Sequence, residues 1–310
     1  MKLPRILELL VLITLVLSPL VVYPILLAQF VCMALLACSL NLLFGYAGLL
    51  SFGHAAFFGV AAYATGYAMK EWGLTPEVGV VFGAVVAMAL GAAFGSLATR
   101  RQGIYFSMIT LALAQLVYFA VVRTPFTKNE DGYQGIPRGR LFGLVDMGND
   151  LVVYYFVLAV AVLAFFFVHR TVNSPFGEAL KGIRDNEARA TSLGYNVRVY
   201  KVMTFTLSAG VAGLAGSLKT LVFGLASLSD VHWHLSGDAI IMVILGGAGT
   251  LIGPVFGASV LVLVHRLLEG ELIALTPVVL GAIFIVCVLA FRRGVIGQLL
   301  HVLDPSSRWR

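Results

Sequence analysis

Gly45–Met69 reads GYAGLLSFGHAAFFGVAAYATGYAM. The stretch is apolar enough for lipid, yet it carries Gly45, Gly48, Gly53, Gly59 and Gly66, with Ser51 and His54 near its start. Glycine weakens a helix and frees its backbone, so an ordinary spanning helix has little use for five. At bilayer depth such a break is tolerated only where the released N–H and C=O groups find protein or water. The segment therefore reads as an interrupted span packed beside other helices.

The rest of the chain supplies those helices. It has 310 residues, 60% hydrophobic and 12% charged, with a mean hydropathy of +0.96. Several apolar runs reach the roughly 20 residues needed to cross a bilayer. The composition is that of an all-α polytopic membrane protein. The basic balance, +6 at pH 7, reports orientation in such a protein rather than nucleic-acid binding. Cys32, Cys38 and Cys287 lie in apolar runs and give neither a disulfide framework nor a metal site. The N-terminal MKLPRILELL run lacks a small-x-small cleavage site and reads as an uncleaved first helix.

About ten crossings are expected, near 6–22, 24–45, 49–69, 77–98, 103–122, 151–168, 200–222, 238–252, 253–268 and 274–291. Ten crossings put both termini on one side, with Lys2, Arg5, Arg100, Arg101, Arg170, Lys181, Arg184, Arg189, Arg198, Lys201, Arg292, Arg293, Arg308 and Arg310. The other side holds Lys70, Arg123, Lys128, Arg138, Arg140 and Arg266. The positive-inside rule makes the richer side cytoplasmic. Dropping the weak third or eighth crossing destroys that partition. Spans two to five (about 24–122) and seven to ten (about 200–291) then form inverted repeats within one domain of residues 1–310. GLLSFGHAAFFGVAAY and GAGTLIGPVFGASVLV echo each other across the halves, the sequence pointer to a transport path between repeats.

Gly79/Gly83, Gly91/Gly95 and Gly249/Gly253/Gly257 recur every four residues, a smooth stripe for close helix packing. GGAGTLIG lacks the preceding strand and the spacing of a nucleotide loop. Asn41, Ser51, His54, Thr110 and Gln115 are polar within or beside apolar runs, so each faces a neighbouring helix or a hydrated cavity. No carboxylate lies in the inner spans to make His54 a proton relay. Lys219, near the end of its span, reads as a snorkelling side chain. SDVHWHLSGD (Ser229–Asp238) has weak metal spacing and reads as a cap at the mouth of the eighth segment. The outer loop 123–150 carries charges of both signs, as a solvated loop or a docking surface would.

Between spans six and seven lies NSPFGEALKGIRDNEARATSLGYNVRVYK (Asn173–Lys201). Ser174–Pro175 is a helix start, an N-cap hydroxyl followed by proline at the first position. Phe176, Leu180, Ile183 and Leu193 are expected on one side, with Glu178, Lys181, Arg184 and Glu187 on the other. Asp185–Asn186 is placed to break the helix, and Gly194 to end it in a left-handed conformation.

Gly177–Gly194 resembles the cytoplasmic coupling loop of ABC-importer permeases, with Glu187, Ala188 and Gly194 as its core. NLLFGYAGLLSFGHAAFFGVAAY, RRQGIYFSMITLALAQLV, FTLSAGVAGLAGSL and GGAGTLIGPVFGA resemble, in order, blocks of the LivM-type permeases of branched-chain amino acid importers. The outer-loop run TKNEDGYQGIPRGR departs from the more glycine-rich start of many members. Relatives import urea, short amides or aromatic acids, so the solute stays open. The resemblance implies a bacterial inner-membrane subunit without catalysis or cofactor of its own. It would pair with a second related permease, two cytoplasmic ATPases that bind ATP and Mg, and an extracytoplasmic solute-binding protein. It places contacts to the ATPase at Phe176, Gly177, Leu180, Arg184, Glu187, Ala188 and Gly194 in loop 173–199. The candidate translocation path is Asn41, Ser51, His54, Tyr105, Thr110, Gly249 and Thr250.

The chain itself has no G-x-x-x-x-G-K-[ST] loop, so any ATP is hydrolysed elsewhere. Three other classes compete. An ion-coupled secondary transporter needs an ionisable residue mid-membrane, and only His54 offers one. An intramembrane hydrolase needs a third partner for Ser51 and His54. A passive channel has no use for the Gly177–Gly194 helix.

Overall fold

Proline marks where the apolar runs turn into helices. Pro24, Pro76, Pro175, Pro254 and Pro277 each stand in the first turn of one, where the missing N–H costs nothing. The computed structural model describes residues 3–124, 127–128, 131–268, 270, 275–291 and 294–298. The charged residues Lys2, Glu130, Arg292, Arg293, Arg308 and Arg310 lie outside the described residues.

The helices are α1 (Leu3–Leu17), α2 (Pro24–Asn41), α3 (His54–Lys70), α4 (Pro76–Ala98), α5 (Ile104–Arg123) and α6 (Asp150–Val172). Two short ones follow, α7 (Pro175–Asp185) and α8 (Glu187–Ser192). Then come α9 (Val197–Phe223), α10 (Trp233–Gly246), α11 (Gly253–Leu267) and α12 (Thr276–Ala290). Among the described residues six segments are long and apolar enough to cross a membrane: Pro24–Tyr46, Pro76–Ala98, Ile104–Arg123, Asp150–Val172, Val197–Phe223 and Thr276–Gln298. Leu10–Leu20, Trp233–Gly246 and Gly253–Leu267 are apolar but shorter.

Helix α9 is the hub, packed against α2, α3 and α4. Association in lipid relies on close backbone approach rather than on water expulsion, and the four-residue glycine stripe of α4 provides it. A side chain at Gly83 would strike Thr65 and Ser217, and one at Gly91 would strike Ala209. On α9, Gly216 sits on the Phe58 carbonyl. Phe57 stands edge-on to Phe94 and Phe205 at 5.5 Å, beside the start of α3. Helices α5, α6 and α12 turn most of their surface outward.

Hydrogen bonds sort the helix ends into two groups. At one end, which also carries α7 and α8, Ser107 donates to Leu50 O (2.7 Å) and Arg198 to Ser96 O (3.3 Å). At the opposite end, β1 (Tyr133–Gln134) pairs antiparallel with β4 (Leu225–Ala226). There Arg138 bridges Asp150 (2.7 Å) and Val222 O (2.8 Å), Tyr23 donates to Asp150 (2.9 Å), and Lys70 to Gln134 O (2.7 Å). Tyr133 is buried and donates to Glu71; burial first, then that carboxylate, push its phenol pKa up. A second hairpin, β2 (Arg140–Leu141) with β3 (Val145–Asp146), lies at the same end.

Three expected spans start or stop elsewhere; the first, expected at 6–22, is the helix Leu3–Leu17. The third begins at His54 rather than 49, because α2 ends in a wide turn, Leu42–Tyr46, and Gly48 takes φ +70°. The eighth, expected at 238–252, is Trp233–Gly246, because Gly247 (φ +116°) and Gly249 (φ +80°) end it. GAGTLI (247–252) is thus the turn into α11, not part of a span, and Gly249, Gly253 and Gly257 do not share one helix. Both echoing motifs lead into helices, α3 and α11, from the α7 end, so the echo pairs helices of like direction and does not argue for inversion.

Candidate functional site

The α7–α8 pair forms as its sequence dictates. The Ser174 hydroxyl accepts from Gly177 N (3.4 Å), satisfying one free N–H of the first turn. Leu180 and Ile183 are buried, and a side chain at Gly177 would strike the carbonyls of Thr171 and Val172. Phe176 stacks on Tyr200 with centroids 5.3 Å apart. Extended Asn186 ends α7 and caps α8, accepting from Arg189 N at 2.9 Å. Ala190 joins Ile183, Val197 and Tyr200 in a small core of its own. Gly194, at φ +88°, closes α8 with Tyr195 N bonded to Ala190 O and Gly194 N to Thr191 O, the pattern a left-handed cap produces.

One expectation fails on this loop. Leu193 does not join the apolar side but is 71% exposed, because the break at Asn186 turns α8 away from the face of α7. Glu187, on the polar side, accepts from Lys201 of α9 at 2.6 Å.

The pair is fastened to the glycine-rich turns. The wide turn at Leu42–Tyr46 leaves Gly45 O free of the helical ladder, and Arg184 Nη1 donates to it at 2.6 Å. On the other side of Gly45, Asn41 bonds the α10–α11 turn twice. Its Nδ2 donates to Thr250 O (2.8 Å), and its Oδ1 accepts from Gly249 N (2.8 Å). A side chain at Gly45 would collide with Asn41 Oδ1 and the Gly249 backbone. Thr250 Oγ1 holds the turn by bonding Gly247 O (2.7 Å) and accepting from Gly253 N (3.0 Å). Three elements far apart in sequence therefore meet around Gly45.

The remaining candidates separate. Ser51 accepts from Gly53 N (3.1 Å) and Thr110 from Phe52 N (3.1 Å), so both hold the 47–53 turn. His54 is fully buried, with Nε2 2.8 Å from Ser208 Oγ. Ser208 gives its only proton to Ser39 O (2.6 Å), so it accepts from His54, which fixes the proton on Nε2. Nδ1 has no partner among the described residues. Tyr105 stands apart at 67% exposure on the first turn of α5, next to a hollow of about 260 Å³ lined by Gly48, Leu50, Gly103 and Ser107. Ala188 is exposed on α8.

Sequence reasoning missed Gly45, Lys201 and Ser208, each of which acts through a partner more than ten residues away. It also misplaced Lys219. That side chain is buried and pairs with Asp230 at 2.7 Å, while Ser227 N and Oγ also bond Asp230. Snorkelling would have left the capping carboxylate unpaired. Among the described residues, no three His, Cys, Asp or Glu side chains are grouped to hold a metal ion. In Ser229–Asp238, His232 instead packs edge-on against Tyr118 at 5.2 Å.

Residues 23–288, from the start of α2 to near the end of α12, match the family model of branched-chain amino acid transport system / permease components. The chain belongs to this family. It is 28% identical over 76% of its length to the high-affinity branched-chain amino acid transport system permease protein LivM of Escherichia coli, and 27% identical over 81% to that of Salmonella typhimurium. Those matches span 61% and 64% of the relatives' own lengths, less than two thirds of each. A probable LivM of Methanocaldococcus jannaschii is 25% identical, covering 74% of this chain and 76% of the relative. The ribose import permease protein RbsC of Escherichia coli is 29% identical over 60% of each chain.

Proposed function

We propose that this chain is the permease subunit of an ABC importer in the inner membrane and forms part of the path for branched-chain or related amino acids. The α7–α8 end is cytoplasmic, with both termini, and ten segments cross. Spans two to five and seven to ten are inverted repeats, a reading supported by the opposite directions of α2 and α9 rather than by the sequence echo. A second related permease, two ATPases carrying ATP and Mg, and an extracytoplasmic solute-binding protein complete the assembly. The observation that carries the reading is the bond from Arg184 to Gly45 O. It connects a surface helix pair on the coupling segment to the two glycine-rich turns of the bundle. Movement of α7 as a rigid body would reach α2, α3, α10 and α11 at one point, which is what an ATP-driven switch of access requires. Phe176, Gly177 and Leu180 seat α7, Glu187 anchors α8, and exposed Ala188 and Gly194 face the ATPase. Asn41, Gly249 and Thr250 serve as the joint of the path, while Tyr105 is its exposed candidate.

Vesicle uptake tests the reading. Labelled leucine should accumulate only with ATP, both permeases, the ATPases and the binding protein. Uptake of ribose instead would move the solute assignment to that of the sugar-importing relative. Accumulation driven by an ion gradient through this chain alone would replace the importer by a secondary transporter.

A further inference from the structure

The β2–β3 hairpin holds large apolar side chains away from the protein. Phe142 is 70% exposed, Leu144 87% and Val145 46%. The tip is not a slack loop. Gly143 N bonds Arg140 O (3.4 Å), Leu144 N bonds Leu141 O (3.0 Å), and Met147 N bonds Gly139 O (3.2 Å). Met147 is fully buried at its base. Phe142 sits at φ +48°, a conformation that strains a bulky side chain and persists only when the surroundings enforce it. Its N–H donates to Glu77 Oε1 at 3.2 Å, which enforces it here.

Position decides what covers this tip. Glu77 lies in the first turn of α4, and the outward stripe of α4 continues from it as Val78, Val81 and Val85, each at least 47% exposed. That stripe belongs to a segment long and apolar enough to cross a membrane. Trp72, 55% exposed, stands edge-on to Phe82 on the second turn of α4 at 5.3 Å. Trp at the end of a spanning segment marks the headgroup level. Arg140, opposite Asp146 in the hairpin register, is exposed and supplies a cation at the root of the tip.

We propose that the hairpin tip is a membrane anchor: Phe142 and Leu144 enter the interfacial layer of the leaflet at the N-terminal end of α4, with Arg140 meeting lipid phosphates. A lipid surface, rather than a protein, is the occupant because the apolar tip is continuous with the valine stripe of a spanning helix. An apolar body with a charged neighbour is the pattern of interfacial insertion. The inference does not depend on the solute or on the importer reading.

The test uses the full chain in nanodiscs of phosphatidylethanolamine and phosphatidylglycerol, with Leu144→Trp and the unsubstituted chain as background for the native tryptophans. The added emission should be blue-shifted, and lost to lipids brominated high on the acyl chain but not to aqueous iodide. Quenching by iodide and not by brominated lipid would overturn the proposal, as would protection from both, which signifies a protein cover. Leu144→Cys, labelled with a polarity-sensitive fluorophore, gives an independent reading because Cys32, Cys38 and Cys287 are buried. Water-like emission from that label would also overturn it.

Discussion

Two glycine-to-alanine changes near the same helix pair should act with opposite sign. Gly182 lies on α7 with nothing within 4 Å of where a methyl would stand. Gly182→Ala therefore only removes glycine's backbone freedom in a helix, a gain of about 0.5–1 kcal/mol. Gly45 has the opposite surroundings: its methyl would land on Asn41 Oδ1 and the Gly249 backbone, with Gly249 Cα at 2.9 Å. If Asn41 swings away, the bonds to Thr250 O and Gly249 N are both lost. Leaving buried groups unpaired costs about 1–3 kcal/mol each. If the turn shifts instead, overpacking costs about 1–3 kcal/mol. Since the structure yields by the easier route, the shift of the turn sets the cost, and Gly45→Ala should lose about 1–3 kcal/mol. Heating of detergent-solubilised protein followed by size-exclusion chromatography reads both variants. Gly45→Ala should lose its monodisperse peak several degrees below the unsubstituted chain and Gly182→Ala slightly above it. A Gly45→Ala protein as stable as the parent would refute the close packing of Asn41 and the Gly249 backbone on Gly45.

Other outcomes follow from the same geometry. Arg184→Gln should leave the ATPase bound in pull-downs but uncouple ATP hydrolysis from uptake; uptake at the parental rate would remove the Arg184–Gly45 bond from the mechanism. Lys219→Met strands Asp230 in a buried site and should cost about 3–5 kcal/mol, with part of the loss recovered in the Lys219→Met/Asp230→Asn double variant, measured by the same thermal assay. Lys201→Met frees Glu187, which is partly exposed, so the loss stays near 1 kcal/mol and appears as faster proteolysis between α7 and α9. Gly194→Val forces a β-branched residue to φ +88° and should open the end of α8 to the same protease while α9 stays protected.

The sequence disclosed what each segment does for itself. Ser174, Asn186 and Gly194 act within a few residues of their own positions, and the structure uses the first two as caps and the third as a terminator. The α4 glycine stripe was legible because helical periodicity puts it on one face. Contacts between distant segments left no such trace. Asn41 and Gly249 are 208 residues apart, and nothing in either neighbourhood announces the other. Lys219 was misread for a related reason: a lone cation near a span end looks the same whether it reaches for headgroups or for a capping carboxylate. The candidate path was assembled from polar residues in apolar runs, and most of them prove to be hydrogen-bonded turn holders. Only Tyr105 of that set stands open to the surface.

The Asn41–Gly249 contact also sets an order of assembly. During synthesis at roughly 5–20 residues per second, the Asn41 amide waits about 10–40 s for the turn that completes it. Lys219 meets Asp230 after only 11 residues. The far end of α9 is therefore closed almost as it emerges. The joint beneath α7 stays open until the α10–α11 hairpin has entered the membrane.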